Sequence, residues 1–266
     1  MVWGKKVRLE RITSKGKMIC IPMDHGVTLG PVKGLTDMSD VIKRVGEGGA
    51  TAVLVHKGII HSLREPPRIG MIMHLTGSTN LSLAPNRKVQ VGSVEEAIRL
   101  GADAVSVHIN IGCKEEHEML EILGNVAYDC DEWGIPLIAM MYPRGENIKE
   151  PNKPEVVAHV ARIGAELGAD IIKTVYTGDI ESFKTVVKGC PVPIVIAGGP
   201  RSDTDRDVFE MAYGAMKAGA MGVAFGRNVF QHEHPEVMVR ALSKIIMKGK
   251  SVEEALEVLT SGSESF

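Results

Sequence analysis

The 266-residue sequence has almost no net charge, no long apolar run and no sign of a secretory leader. Its formal net charge of -2 gives no electrostatic reason to expect nucleic acid or an anionic membrane as a partner. No segment approaches the roughly 18 consecutive apolar residues of a membrane-spanning helix. The first residues lack the apolar stretch of a signal peptide. We therefore expect a cytoplasmic protein.

Cysteine is scarce, and no two cysteines have the C-x-x-C spacing of a zinc or redox motif. The four cysteines are Cys20, Cys113, Cys130 and Cys190. Scattered cysteines in a cytoplasmic protein are typically reduced. We predict that all four are buried free thiols.

What the sequence does contain is a repeated strand signal. Gly49, Gly101, Gly168 and Gly219 each end an amphipathic helical pattern, and each precedes an alanine and a short apolar run. This pattern is typical of a helix that ends at glycine, a tight turn and a buried parallel strand. The repeats lie about two strand-plus-helix units apart, so another strand should lie between each pair.

The intervening strands are found as further apolar runs. The predicted strands lie at 18–23, 49–55, 71–75, 101–107, 136–141, 168–173, 193–197 and 219–225. Ser93 and Ser251 are each followed three residues later by glutamate, which predicts two helix starts. Strands that alternate with helices favour one α/β domain, a (β/α)8 TIM barrel over 1–266, with 1–16 as a capping extension and 261–266 as a polar tail. A doubly wound open sheet is the alternative, although no G-x-G-x-x-G follows the first strand.

Lys173 stands in the apolar run 169–176, where a charged ammonium is costly. Strand alternation places Ile171 and Val175 on the same face as this lysine. Burial is expected to lower the pKa of Lys173, and a neutral amine is a nucleophile that forms Schiff bases with carbonyl compounds. The alternative is a buried stem whose ammonium reaches water.

Glycine-rich segments follow the last two predicted strands. Gly198 and Gly199 follow the seventh strand, and Gly226 and Arg227 follow the eighth. In a TIM barrel these two loops commonly bind phosphate, because glycine lets backbone N–H groups approach the oxygens and arginine adds charge-assisted hydrogen bonds. We predict a phosphate site here, against the alternative of tight turns beside a surface arginine.

Other polar residues follow strands that end at the same rim. Asp24 comes after the first strand and is a candidate for proton transfer or for pairing with a lysine. Tyr142 follows the fifth strand and offers a phenol to a developing alkoxide. Lys57 follows the second strand and could bind phosphate or repel the charge of Lys173, although a solvated loop lysine is the simpler interpretation.

Histidines near the first four strand ends raise the question of a metal. These residues are His25, His56, His74 and His108. A catalytic zinc needs three protein ligands, and no strand carries an H-x-H pair. Asp24 and His25 are adjacent, so on a regular strand they would point in opposite directions. His232 and His234 have the right spacing but lie in a polar stretch past the eighth strand. We expect no catalytic metal and no cofactor, with a metal-dependent lyase kept as an alternative.

Several segments resemble the class I aldolases of archaeal type, a family that groups deoxyribose-phosphate aldolase-like barrels with archaeal fructose-bisphosphate aldolase. These segments are 23–31, 141–145, 172–179, 196–200 and 225–230. They occur in order at four strand ends and on the lysine strand, and the resemblance runs from about residue 8 to 258.

The resemblance implies roles that the residues alone do not assign. It makes Lys173 the Schiff-base lysine, Asp24 the proton acceptor and Tyr142 the proton donor. It implies substrate contacts at Asp24, His25, Gly26, Val27, Thr28, Tyr142, Pro143, Arg144, Lys173, Gly198, Gly199, Gly226 and Arg227. It also implies a homo-oligomer, specifically a homodecamer.

Within the family, segment 30–35 is most similar to members that transfer a carbon fragment from a phosphorylated ketose to L-aspartate semialdehyde. That reaction opens a route to 3-dehydroquinate and the aromatic amino acids. Class I fructose-1,6-bisphosphate aldolase is the nearest alternative. A phosphosugar isomerase or binding barrel, in which Lys173 only pairs with an anion, is another.

Overall fold

The structure is a computed structural model that describes residues 2–263, with side chains described for 2–261. Its strands are β1 (Met18–Pro22), β2 (Ala52–Val55), β3 (Gly70–His74), β4 (Thr76–Gly77), β5 (Val89–Gln90), β6 (Ala104–Ile111), β7 (Leu137–Pro143), β8 (Ile171–Thr174), β9 (Ile194–Ala197) and β10 (Gly222–Ala224). Its helices are α1 (Trp3–Ile12), α2 (His25–Leu29), α3 (Met38–Gly48), α4 (Lys57–Ser62), α5 (Val94–Arg99), α6 (Glu116–Trp133), α7 (Pro154–Glu166), α8 (Ile180–Gly189), α9 (Asp205–Ala218), α10 (Arg227–Phe230), α11 (Pro235–Ile246) and α12 (Val252–Ser263).

Eight of these strands form a closed parallel barrel. The order around it is β1, β2, β3, β6, β7, β8, β9 and β10, and β10 pairs with β1 to close the circle. The predicted TIM barrel is confirmed, and the closed order excludes the open sheet. Strands β4 and β5 form a separate antiparallel hairpin after β3. All eight predicted strands are found, but β7 continues through Pro143 and so includes Tyr142, which we had placed after the strand.

Several helices begin and end at the capping residues that the sequence predicts. Gly49 and Gly219 cap α3 and α9 in the left-handed conformation, with φ of +99° and +101°, where a side chain would be strained. Ser251 and Glu254 form both hydrogen bonds of a capping box. Ser93 accepts the backbone N–H of Glu96, but the Glu96 carboxylate turns to Lys57 instead.

Two apolar layers are separated by the barrel wall. Residues such as Ile19 and Ile21 point outward into the core shared with the helices, whereas Met18 and Cys20 point into the barrel. Ile171 belongs to the inner layer, and Val175 packs against it. Because side chains alternate along a strand, this places Lys173 inside the barrel, as the sequence predicts.

Helix α1 packs against β3 and β6 at the end of the barrel where the strands begin. Its buried Lys5 bridges Asp131 at 2.5 Å and Asp170 at 2.9 Å. Asp170 lies just before β8 and also accepts the backbone N–H of Leu137. Arg11 pairs with Asp103, which precedes β6. These bonds attach α1 to the starts of three strands.

The remaining expectations concern the cysteines and the chain end. The four cysteines are free and buried, as predicted. The predicted polar tail 261–266 begins inside α12, which extends to Ser263, and residues 264–266 lie outside the described part of the chain. No helix within residues 2–263 has the length and apolar character needed to cross a membrane.

Candidate active site

A cavity of about 810 Å³ opens at the end of the barrel where the strands finish. Its walls include most of the predicted site residues, namely Asp24, His25, Thr28, Tyr142, Arg144, Lys173, Gly198, Gly199, Gly226 and Arg227. Three predicted contact residues do not line it. These are Gly26, Val27, which lies beside Gly77 of the β4–β5 hairpin, and Pro143, which follows the inward Tyr142 and so faces away.

Lys173 lies in the middle of β8 with only 7% of its surface exposed. Its Nζ is 3.8 Å from the sulfur of Met140, its register partner on β7. Strand β8 therefore places the amine of Lys173 at the floor of the cavity. Ile171, two residues earlier on β8, packs in the apolar layer below.

The expectation that Lys173 has a lowered pKa is wrong, because the pKa is raised. Burial does oppose the charge, but the neighbouring Tyr142 and the carboxylate of Asp24 both favour the ammonium. These opposite effects leave the pKa of Lys173 above its ordinary value. The amine must therefore lose a proton within the site before it can attack a carbonyl.

Asp24 lies two residues past the end of β1, and its side chain is 20% exposed. Its oxygens lie 3.7 Å from Nδ1 of His25 and 3.9 Å from Nε2 of His74. Burial would raise the pKa of Asp24, but His74, His25 and Lys173 hold it well below its ordinary value. Asp24 is thus an anion beside the lysine, able to orient the ammonium and to exchange protons near it.

Tyr142 is buried on β7 and points into the cavity. Its ring packs edge-on against His108, with centroids 4.9 Å apart. The guanidinium carbon of Arg144 lies 5.3 Å from the ring centroid. The phenol is therefore held rigidly between β6 and the lysine on β8, with its hydroxyl close to the amine.

The glycine loops after β9 and β10 leave room for an anion. A Cβ on Gly199 would meet nothing within 4 Å, so the backbone there is open. Asn228 fixes the loop, since its Nδ2 donates to the Gly198 carbonyl at 3.0 Å and its Oδ1 accepts from Ser202 at 2.8 Å. Arg227 lines the cavity, and its buried Nε has no hydrogen-bond partner among the described residues. Open backbone beside an arginine suits a phosphate.

Sequence reasoning missed two cavity cations, Lys88 and Arg201, and the simpler interpretation of Lys57 as a loop lysine outside the site is the better one. Lys88 lies in the loop between β4 and β5 and lines the cavity. The sequence around it has no periodic or motif pattern that marks it as a site residue. Lys57 does not line the cavity and instead pairs with Glu96 at 3.1 Å. Local pattern could not reveal Lys88, because its burial depends on how the hairpin folds back over the barrel.

The rim histidines form pairs rather than a ligand set. His74 is buried, bonds Ser106 through Nδ1 at 2.7 Å and meets His56 edge-on at 5.2 Å. His108 lies on the neighbouring strand β6 and bonds Asn110 at 2.9 Å. Among residues 2–263 no group of three or more His, Cys, Asp or Glu side chains is arranged to hold a metal ion.

The buried histidine beside Asp24 should make stability pH-dependent. Burial lowers the pKa of His74 to about 3, against about 6.5 in an unfolded chain. Between these values the unfolded state binds a proton that the folded state does not, so stability falls as pH drops below about 6.5. We expect His74 to account for about 2 kcal/mol of lost unfolding free energy between pH 7 and pH 5.

Urea unfolding at the two pH values measures this effect. The variant His74→Asn should show a smaller loss on acidification than the wild type, while the exposed control His159→Asn should match the wild type. Equal losses in all three proteins would mean that His74 is protonated at its ordinary pKa in the folded state.

Comparison with known proteins places the chain in a family. A model of the DeoC/LacD family aldolases matches residues 18–232. The 2-amino-3,7-dideoxy-D-threo-hept-6-ulosonate synthase 1 of Archaeoglobus fulgidus is 44% identical over 96% of this chain and 95% of its own length. The synthase of the same name from Halobacterium salinarum is 42% identical over 95% of both chains.

A solved structure agrees with these relatives. A Schiff-base-forming fructose-1,6-bisphosphate aldolase superimposes with a TM-score of 0.85 at 34% identity, covering 91% of this chain and 99% of its own. Fold and relatives together define an aldolase-type barrel enzyme. The chain belongs to the DeoC/LacD family of aldolases.

Proposed function

We propose that the protein is a Schiff-base-forming, transaldolase-type synthase that makes 2-amino-3,7-dideoxy-D-threo-hept-6-ulosonate. Its donor would be 6-deoxy-5-ketofructose 1-phosphate and its acceptor L-aspartate semialdehyde. The observation that carries the proposal is the buried Lys173, whose amine meets Asp24 and Tyr142 on the floor of a cavity rimmed by phosphate-type loops. The names of the two synthases from Archaeoglobus fulgidus and Halobacterium salinarum supply the product, and the family resemblance supplies the donor and the acceptor.

In the first half-reaction the amine of Lys173 attacks the donor ketone. Because the ammonium is favoured in the free site, Nζ must first lose a proton to solvent, and we assign Asp24, the nearby anion, to relay that proton rather than to hold it. Loss of water from the addition product gives an iminium, which withdraws electrons from the neighbouring C–C bond. That bond breaks, the hydroxyl beside it loses its proton, and an enamine stays on Lys173 while hydroxypyruvaldehyde phosphate leaves.

In the second half-reaction the enamine carbon adds to the aldehyde of L-aspartate semialdehyde. The aldehyde oxygen becomes an alkoxide and needs a proton, which the phenol of Tyr142 is placed to donate. Water then hydrolyses the new iminium and frees the seven-carbon product. The loops with Gly198, Gly199, Gly226 and Arg227 would hold the donor's phosphate during the first half-reaction.

The product would feed the alternative route to 3-dehydroquinate and the aromatic amino acids. On the same resemblance we propose that the enzyme is cytoplasmic and assembles as a homodecamer. The glycine loops and Lys173, which support the proposed chemistry, all line the cavity of one barrel.

The test is a comparison of acceptors. Enzyme loaded with the donor sugar phosphate should release a seven-carbon amino acid with L-aspartate semialdehyde, and should do so faster than it condenses with glyceraldehyde 3-phosphate. Borohydride should trap the donor on Lys173 without any acceptor. Faster turnover with glyceraldehyde 3-phosphate would reverse the assignment, and failure to trap an adduct while a chelator stopped turnover would favour a metal-dependent lyase.

The second candidate is a class I fructose-1,6-bisphosphate aldolase. It is favoured by the close superposition with a Schiff-base-forming aldolase of that name, since lysine chemistry and phosphate loops would serve both reactions. Cleavage of fructose 1,6-bisphosphate at a rate matching the transfer reaction would establish that one site does both.

A further inference from the structure

We propose that Lys88 binds the anionic group of the acceptor aldehyde, opposite the loops that hold the donor's phosphate. This inference rests on the proposed function, because it presumes one site that takes a donor and an acceptor in turn. Four features of the described residues support it, namely the burial of Lys88, its missing counter-ion, its place in the barrel and the charge of the cavity wall.

Lys88 is a buried cation without an anionic partner. Only 7% of its surface is exposed. Its Nζ donates to the hydroxyl of Ser78 and to the carbonyl of Pro85 at 3.3 Å, and both acceptors are neutral. No carboxylate in residues 2–261 forms a salt bridge with it. An ammonium has three N–H donors, so one remains for a ligand in the cavity.

Keeping such a charge buried is costly unless an anion completes the site. Burial and the nearby Arg144 lower the pKa of Lys88 by more than the charge of Asp24 raises it, so the empty site is unfavourable for the charged amine. A carboxylate or phosphate entering the cavity would relieve the repulsion between these two cations. Arg144 is exposed and can move, whereas two hydrogen bonds hold Lys88 in place.

The position of Lys88 separates it from the phosphate-type loops. Its loop follows β3 and is tied to β6, because Asn110 donates to the carbonyl of Asn86 at 2.7 Å. Around the closed barrel, β3 and β6 lie across from β9 and β10, which carry Gly198 and Arg227. Lys173 on β8 lies between the two sides. A donor whose phosphate is held by Arg227 therefore leaves Lys88 unoccupied.

The charges of the cavity wall fit two anions. The lining includes the cations Lys88, Arg144, Lys173, Arg201 and Arg227, with Asp24 as its one carboxylate. Both the donor phosphate and the α-carboxylate of L-aspartate semialdehyde are anionic, and they belong to different molecules. The phosphate of glyceraldehyde 3-phosphate would present the same chemistry to Lys88, so the site recognises an anionic group at the far end of a short aldehyde.

The variant Lys88→Met tests the inference, with Lys57→Met as the matched control because Lys57 lies outside the cavity. We expect the KM for L-aspartate semialdehyde to rise on the order of 10- to 100-fold in Lys88→Met, as for the loss of a hydrogen bond between charged groups. Lys88→Arg should retain most of the acceptor affinity. Borohydride trapping of the donor alone should be unchanged in every variant, which also shows that the barrel is folded.

Three further acceptors identify what Lys88 recognises. With butanal, which has no anionic group, wild type and Lys88→Met should react equally. Glyceraldehyde and glyceraldehyde 3-phosphate differ by one phosphate. Comparing them in the same two proteins shows whether Lys88 recognises a phosphate as well as the carboxylate of L-aspartate semialdehyde. If Lys88→Met trapped the donor normally and its KM for the acceptor were unchanged, the role of Lys88 would be refuted and the proposed function would stand. The same conclusion would follow if the KM for the donor rose by the same factor as the KM for the acceptor. No adduct in the wild type would instead overturn the proposed function, and this inference with it.

Discussion

Replacing Lys173 by alanine should abolish the borohydride adduct and lower turnover by at least about 10⁴-fold. The loss is large because Lys173 supplies the amine that bonds to the substrate, and the described cavity wall offers no second amine in the same place. Lys88 approaches from the opposite loop, and Lys57 lies outside the wall. Mass spectrometry of the trapped protein and a coupled assay measure the two effects.

The control for this experiment is Lys57→Ala, which should keep both the adduct and the activity. Circular dichroism should show native structure in Lys173→Ala, since the cavity loses a charge rather than gaining one. An adduct that persisted in Lys173→Ala, or that mapped to Lys57 in the wild type, would show that the Schiff-base role is assigned to the wrong residue.

Replacing Tyr142 by phenylalanine should slow turnover by about 10²- to 10⁴-fold while leaving the donor adduct detectable. The substitution removes one hydroxyl, and the ring keeps its contact with His108 at 4.9 Å. Imine formation does not need the phenol, because Asp24 remains beside the amine. Proton donation to the new alkoxide does need it, so the adduct should accumulate and turn over slowly.

The matched control is Tyr128→Phe, because Tyr128 is exposed on α6 and far from the lining residues. Rapid-quench measurement of adduct formation, set beside steady-state turnover, separates the two steps. If Tyr142→Phe failed to form the adduct at all, the phenol would be required for the attack of Lys173 rather than for proton donation.

The parts of the site that lie on strand ends were predictable. Parallel strands finish at one end of a barrel, so Asp24, Tyr142 and Gly198 had to meet once the eight strands were counted. The inward direction of Lys173 followed from the period of two along β8. These inferences use only local sequence and the closure of the barrel.

The parts that depend on long-range contacts were not predictable. His74 and Ser106 are register partners on β3 and β6, and their bond requires that pairing. Lys88 has no periodic neighbours, and its burial follows from the hairpin of β4 and β5. The pKa of Lys173 was predicted in the wrong direction because burial was considered without the charges that β1 and β7 bring beside it.

Helix α1 has a consequence for the order of events in catalysis. It covers the end where the strands begin, and side chains such as Met18, Leu54 and Ile138 fill the barrel beneath the cavity. Reactants therefore enter and leave through one mouth. A fragment released from the donor must clear that mouth before an acceptor can reach the enamine. For the transfer reaction proposed above we therefore expect ping-pong kinetics, with the departing phosphorylated fragment competing with the incoming aldehyde for the same passage.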